Sequence, residues 1–220
     1  IPQWMLDLPP LGCINLRGSL LPKYRGAAPI QWAIANGENV TGVTTMRLDA
    51  GLDTGDMLLA KVVPIGQEET AVDVYECLAA VGAELMVETL CGLADKSIFC
   101  QPQDHSLATL APILKREDGL IDCTRIAQSV YDRWRGFQPW PGAHTTLRGK
   151  KLIVHKMHVT AHPTGGEPGT LFVQDNAMLL VCANDTAVCL DEVQMEGKRR
   201  MSAAEFLNGY QIKSGERLQI

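Results

Sequence analysis

The sequence predicts two units in series: an α/β unit, then a small antiparallel β-barrel. Three observations carry this. In the first half, short apolar runs alternate with segments of helical periodicity. From His144 onward the pattern changes to short strands separated by polar turns. The charge also divides: residues 1–112 carry 6 basic and 13 acidic side chains, and residues 113–220 carry 14 and 12. An acidic first half and a mildly basic second half point to units with different partners.

The elements follow in order. Gly12 to Leu16 is an apolar run that reads as a buried strand. Pro29 to Asn36 reads as a helix, with Pro29 in its first turn and Gly37 just past its end. Val40–Leu48 and Met57–Ile65 read as strands joined by the loop Asp49–Asp56. The strongest helical pattern spans Thr70–Ala94, where Val74, Leu78, Gly82, Leu85 and Leu93 recur at helical steps and Thr70 with Asp73 has capping-box spacing. Residues 95–117 lack a period. A second amphipathic helix covers Thr124–Arg135 and stops at the two prolines flanking Trp140. The later strands are Thr145–Leu147, Lys151–Thr160, Gly169–Val173, Met178–Val181 and Ala187–Val193. Ser202 and Glu205 open a short final helix with a capping box.

Composition excludes several classes. Hydrophobic residues make up 46% and charged residues 20%, so the chain packs a core rather than staying disordered. The formal net charge of −5 excludes a bulk polycation; any nucleic-acid contact is a local patch. The seven cysteines are scattered without C-x-x-C spacing, and the five histidines lack metal-ligand spacing, so no metal and no disulfide framework is expected. Free thiols fit a reducing cytoplasm. No apolar run approaches a membrane span. The chain opens at Ile1 without an initiator Met, which reads as a truncation of something longer.

Two segments carry chemistry. In Asn15-Leu16-Arg17-Gly18-Ser19-Leu20-Leu21-Pro22-Lys23-Tyr24-Arg25-Gly26, a strand ends in polar residues and enters a glycine- and proline-containing loop. Ligands of open α/β sheets sit outside strand carboxyl ends, so Asn15 and Arg17 are well placed. Spacing alone equally allows Asn15 to be a turn cap. Asp49-Ala50-Gly51-Leu52-Asp53-Thr54-Gly55-Asp56 offers three carboxylates, which read either as a solvated turn or as a carboxylate orienting a neighbour.

These two segments, INLRGSLLPKYRGAAPIQWAI and GVTTMRLDAGLDTGDM, together resemble the folate-dependent formyltransferases, and SVYDRWRGFQPWPGAHTTLRGKKL looks like the start of that family's C-terminal domain. The resemblance runs from about residue 11 to the C-terminus. It implies an α/β partial Rossmann-like formyltransferase domain (1–95), a linker (96–118) and a small OB-like β-barrel domain (119–220). It also implies transfer of a formyl group from 10-formyltetrahydrofolate to the methionyl amine of initiator tRNA, without a metal, by a cytoplasmic enzyme that is monomeric at full length.

The family's catalytic set is an Asn, a His two residues later, and the Asp of a GLD triplet. Asn15 and Asp53 match the first and third, whereas Arg17 occupies the histidine position. Arginine stays protonated and cannot shuttle a proton, but it can donate to an oxyanion and pair with Asp53. Ser19, Leu20, Leu21 and Pro22 match the family's folate-contacting segment. Arg148, Lys150, Lys151, Lys198, Arg199 and Arg200 are the residues expected to meet tRNA phosphates. The family's N-terminal half of the catalytic domain is missing. Two rival readings are a formyltransferase for another amine, such as an amino-sugar nucleotide, and a catalytically impaired tRNA-binding remnant.

Overall fold

The computed structural model describes residues 2–10, 12–161 and 165–218. The chain forms two compact units, Ile1–Leu114 and Lys115–Ile220.

The first unit opens with a one-turn helix, α1 (Gln3–Leu6), followed by β1 (Ile14–Arg17), β2 (Arg25–Gly26), α2 (Pro29–Ala35), β3 (Val40–Arg47), β4 (Met57–Pro64) and α3 (Ala71–Ala94). Its main sheet has the order β1-β3-β4, with both pairings antiparallel. Leu16, Val43 and Val63 face a core made with Ile30 and Ile34 of α2 and Val74, Leu78 and Leu85 of α3. Gly82 permits close approach of that helix, since a Cβ there would lie 2.5 Å from a Leu16 methyl. The expected cap of α3 forms: the Thr70 amide and hydroxyl both donate to Asp73, at 2.8 and 2.6 Å.

Two sequence expectations change here. By length and composition α3 is apolar enough to cross a membrane, contrary to the expectation that no run approaches a span. Its buried residues pack on β3 and β4, which explains the apolar content on that face. The segment 96–118, expected as a linker, contributes β5 (Leu110–Ala111), which pairs in parallel with β2. A two-residue strand falls below the length at which alternation can be read.

The second unit contains α4 (Ala127–Gly136), β6 (Ala143–Leu147), β7 (Lys150–Thr160), β8 (Leu171–Gln174), β9 (Ala177–Cys182), β10 (Thr186–Met195), β11 (Met201–Ser202) and α5 (Ala203–Tyr210). The strands form one antiparallel sheet of order β6-β7-β10-β9-β8, with β11 added to β10. Among the described residues the expected OB-like barrel does not close. The outer edge of β8 is instead bonded by the C-terminal segment: Leu171 donates to Glu216, Gly215 to Leu171 and Leu218 to Gly169. Strand spacing in sequence shows how many strands exist but not which partner covers the last edge. The core gathers Leu152, Leu171, Met178, Leu180, Leu190 and Phe206. Burial pushes the Cys123 thiol up to about 11 and the Cys182 thiol up to about 12, so both stay protonated at neutral pH.

The capping box of α5 also forms, with Ser202 donating its amide to Glu205 at 3.0 Å and accepting the Glu205 amide at 3.3 Å. The Arg199 guanidinium, then the Ser202 amide and hydroxyl, hold the Glu205 carboxyl down at about 2. A depressed folded pKa means the cap is intact above the unfolded value and is lost as pH falls towards the folded one. We expect protection factors in the first turn of α5 to fall between about pH 4.5 and pH 2 and to stay flat above. Hydrogen exchange read by NMR checks this; loss of protection above pH 5 would contradict it.

Candidate functional site

The carboxyl end of β1 positions the first two residues. Strand alternation puts Asn15 and Arg17 on one face and Leu16 on the other, where it meets α3. Asp53 arrives from the β3–β4 turn in a left-handed conformation, φ +54°. The two motifs meet there: Arg17 Nη2 lies 2.9 Å from Asp53 Oδ2. Both side chains are largely buried, 17% and 9% exposed. The peptide of Gly26 completes the arrangement. Its carbonyl accepts from Arg17 Nη2, and its amide donates to Asp53 Oδ2 at 2.8 Å. Arg17 Nε is buried and lacks a hydrogen-bond partner.

The turn carrying Asp53 is held from behind. Gln103 Nε2 donates to the carbonyls of Asp53 and Gly55, at 2.9 and 2.6 Å. Gln103 Oε1 in turn accepts from Arg25 Nε at 3.1 Å, and Arg25 Nη2 lies 3.1 Å from His105 Nδ1. Gln103 and Arg25 are only 5% and 6% exposed. Gly55 is required at this turn, because a Cβ would sit 1.9 Å from the Arg47 carbonyl. Asp49 serves the turn itself: it accepts the Gly51 amide and the Thr54 hydroxyl, and so closes the loop locally.

The arrangement supplies a fixed carboxylate, a fixed guanidinium whose buried Nε is unpartnered, and an amide side chain on the same strand face. Such a site can stabilise a developing oxyanion. No imidazole is among these three side chains. Sequence reasoning named Asn15, Arg17 and Asp53, and the structure joins the last two. It missed Gly26, Arg25 and Gln103. The Arg-Gly pair was visible inside the motif, whereas nothing in the sequence marks Gln103.

The Ser19–Pro22 segment lies elsewhere. Thr44 pins it, donating its hydroxyl to the Ser19 carbonyl at 2.7 Å and accepting the Leu21 amide at 3.2 Å. Ser19 and Leu21 are buried, and the Ser19 hydroxyl has no hydrogen-bond partner. A separate cleft of about 600 Å³ is lined by Arg17, Gly18, Ile30, Tyr75, Leu78 and Met86, among others. That volume suits a small molecule. None of Ser19, Leu20, Leu21 and Pro22 lines it.

The expected phosphate-contacting residues converge on one end of the second unit's sheet. Leu152 of β7 faces Met195 of β10, so Lys150 and Lys151 come to the same end as Lys198. The arginines are already engaged. Arg148 makes two bonds to Glu216, at 2.8 and 2.7 Å, and one to the Tyr210 carbonyl. Arg199 pairs with Glu205 at 2.8 Å, and Arg200 pairs with Glu192.

Comparison with known proteins supplies relatives. A family profile described as Formyl transferase matches residues 1–90, and one described as Formyl transferase, C-terminal domain, matches residues 113–211. The methionyl-tRNA formyltransferase of Koribacter versatilis is 56% identical over 99% of this chain and 69% of its own length. That of Acidobacterium capsulatum is 53% identical over 99% of this chain and 70% of its own. Two solved structures share the fold. HypX from Aquifex aeolicus in complex with tetrahydrofolic acid has a TM-score of 0.65 at 20% identity, covering 92% of this chain and 36% of that one. An N-formyltransferase from Helicobacter canadensis, in complex with folinic acid and dTDP-3-aminofucose, has a TM-score of 0.66 at 18% identity, covering 83% and 65%.

Proposed function

Because the chain belongs to the methionyl-tRNA formyltransferase family, we propose that it serves formyl transfer from 10-formyltetrahydrofolate to the amino group of methionyl-initiator tRNA. The observation that carries this is the meeting of Arg17 and Asp53, from two separate motifs, at 2.9 Å beside the strand that bears Asn15. Relatives at 53–56% identity carry the tRNA name, while the sugar N-formyltransferase shares the fold at 18% identity. That difference favours tRNA over an amino-sugar acceptor.

In this reading the acceptor amine attacks the formyl carbon, a bond to nitrogen forms, and the bond from the donor nitrogen breaks. Asn15 and the Arg17 guanidinium, which lines the cleft, supply hydrogen bonds to the oxyanion formed on the way. Asp53 keeps Arg17 in place, and the Gly26 peptide keeps both. The proton released by the amine passes through solvent to the departing donor nitrogen, which leaves as the secondary amine of tetrahydrofolate, because Arg17 cannot carry it. The cleft beside Arg17 is the reading we favour for the folate, and buried Ser19 is held in its own loop through its carbonyl, which accepts from Thr44.

Lys150, Lys151 and Lys198 form the tRNA-facing patch of the second unit. Arg148, Arg199 and Arg200 would have to leave carboxylate partners to join it. The test is a formylation assay with methionyl-tRNA and with an amino-sugar nucleotide, alongside tRNA binding at several salt concentrations. We expect formylation of the tRNA alone. Three phosphate contacts predict a salt slope of about −2 to −3 in log–log form. Formylation of the sugar alone, or salt-insensitive tRNA binding, overturns the reading.

A further inference from the structure

We propose that His158, Cys189 and Asp191 form a binding site for a divalent transition-metal ion of the zinc class in the second unit. The three come together through strand pairing. His158 of β7 lies directly opposite Cys189 of β10. Just beyond, Leu190 faces Met157 and Glu192 faces Lys156, so Asp191 is an extra residue without an opposite partner. Bulges of this kind re-aim a side chain. Here Asp191 Oδ2 is brought to 2.9 Å from His158 Nδ1. The imidazole nitrogen, the thiol sulfur and a carboxylate oxygen all lie within 4.8 Å of one another.

The donor set selects the ion. Calcium and magnesium take oxygen ligands, whereas an imidazole with a thiolate suits zinc and its neighbours. Tetrahedral coordination with bonds of about 2.0–2.3 Å separates ligand atoms by roughly 3.5 Å. The widest separation therefore contracts by about 1.3 Å at most, from 4.8 Å, while the 2.9 Å contact between His158 and Asp191 opens by about 0.6 Å. His158 is on the surface, 58% exposed, and free to supply that movement. Cys189 is buried at the base, and on coordination its proton passes to solvent.

Three protein ligands leave one tetrahedral position. It opens into a cleft of about 450 Å³ lined by His158, Cys189 and Asp191 together with Thr160, Asn176 and Ser202. A water or a small anion completes the shell there. Sequence spacing could not show this site, because the ligands lie on two strands and become neighbours only through the register. An ion held here would pin β7 to β10 at the irregular point of their ladder.

The test uses the full chain, stripped with a chelator, desalted, and titrated with Co²⁺ and then Zn²⁺. We expect a stoichiometric near-ultraviolet thiolate-to-cobalt band, displaced mole for mole by Zn²⁺. Cys189→Ser abolishes the band. His158→Gln and Asp191→Asn each weaken Zn²⁺ binding by at least about tenfold. The double variant Cys77→Ser/Cys91→Ser, which removes the two exposed thiols, leaves binding unchanged. Should Cys189→Ser fail to fold, the two surface variants carry the test. A band that survives Cys189→Ser, wild-type affinity in His158→Gln and Asp191→Asn, or no stoichiometric binding by the wild-type chain overturns the proposal.

Discussion

Replacing Arg17 by His is expected to raise kcat for formyl transfer by at least about tenfold. The assay uses a chimera carrying the N-terminal segment of the Koribacter versatilis relative, of which this chain spans 69%. In the proposed function Arg17 already performs part of the chemistry. Its guanidinium pairs with Asp53 at 2.9 Å and lines the adjacent cleft, so on that proposal electrostatic stabilisation is retained in the native chain. What it cannot do is accept the amine's proton near neutral pH. A positioned general acid–base group contributes typically about 10²–10⁴-fold. An imidazole next to the Asp53 carboxylate regains part of that factor while giving up the Gly26 carbonyl contact. Asp53→Asn in the Arg17→His background is expected to remove the gain, because the imidazole loses the carboxylate that orients and charges it. In the Arg17 background the same change should matter less to kcat. It leaves a largely buried guanidinium without its counter-charge, so there it acts on stability. The four proteins of that double-mutant cycle settle the matter. Equal rates for the chimera with Arg17 and for its Arg17→His variant, with the fold unchanged, would sink the idea that this position carries the proton.

Most of the first unit was legible because its signals are local. Pro29 at a helix start, Thr70 with Asp73 in a capping box, and the period of Val74, Leu78 and Leu85 each identify an element within one or two turns. The meeting of Arg17 with Asp53 was expected from family resemblance rather than from spacing. Only the tertiary path of the β3–β4 turn makes it real. Gln103 and Arg25 stayed invisible because their work is done by hydrogen bonds to residues distant in sequence, which leave no periodic trace. The barrel failed for a related reason. Alternation reports a strand's faces, but closure depends on what bonds to the edge of β8, and that is the chain's own C-terminal segment. The arginines read as phosphate ligands illustrate the same limit. Arg148 and Glu216 stand far apart in sequence, and their bidentate pair exists only in the folded unit.

The largest stability effect we expect comes from Gly26→Ala. Gly26 sits at φ +120°, a region closed to side chains in ordinary backbone. A Cβ there would also lie 2.6 Å from the Ala111 carbonyl oxygen, across the parallel β2–β5 pair. Backbone strain of this kind costs about 1–3 kcal/mol, and overpacking against an atom that cannot rotate away costs about as much again. The sum of about 2–6 kcal/mol is a large share of the stability of a typical domain. The chain has one means of escape: β2 can part from β5. That would release the Gly26 amide from Asp53 and its carbonyl from Arg17 together. Stability and site are therefore coupled at a single peptide. Trp32 is a suitable reporter, since its indole donates to the Pro112 carbonyl at 2.8 Å, immediately after β5. Urea unfolding followed by fluorescence, in a background with Trp4, Trp134 and Trp140 replaced by Phe, measures the loss. Gly209→Ala in α5 is the control, where a Cβ meets nothing within 4 Å and helix propensity favours alanine. A Gly26→Ala midpoint within error of the control's would show that β2 adapts without strain, and that the Gly26 peptide is not what locks Arg17 to Asp53.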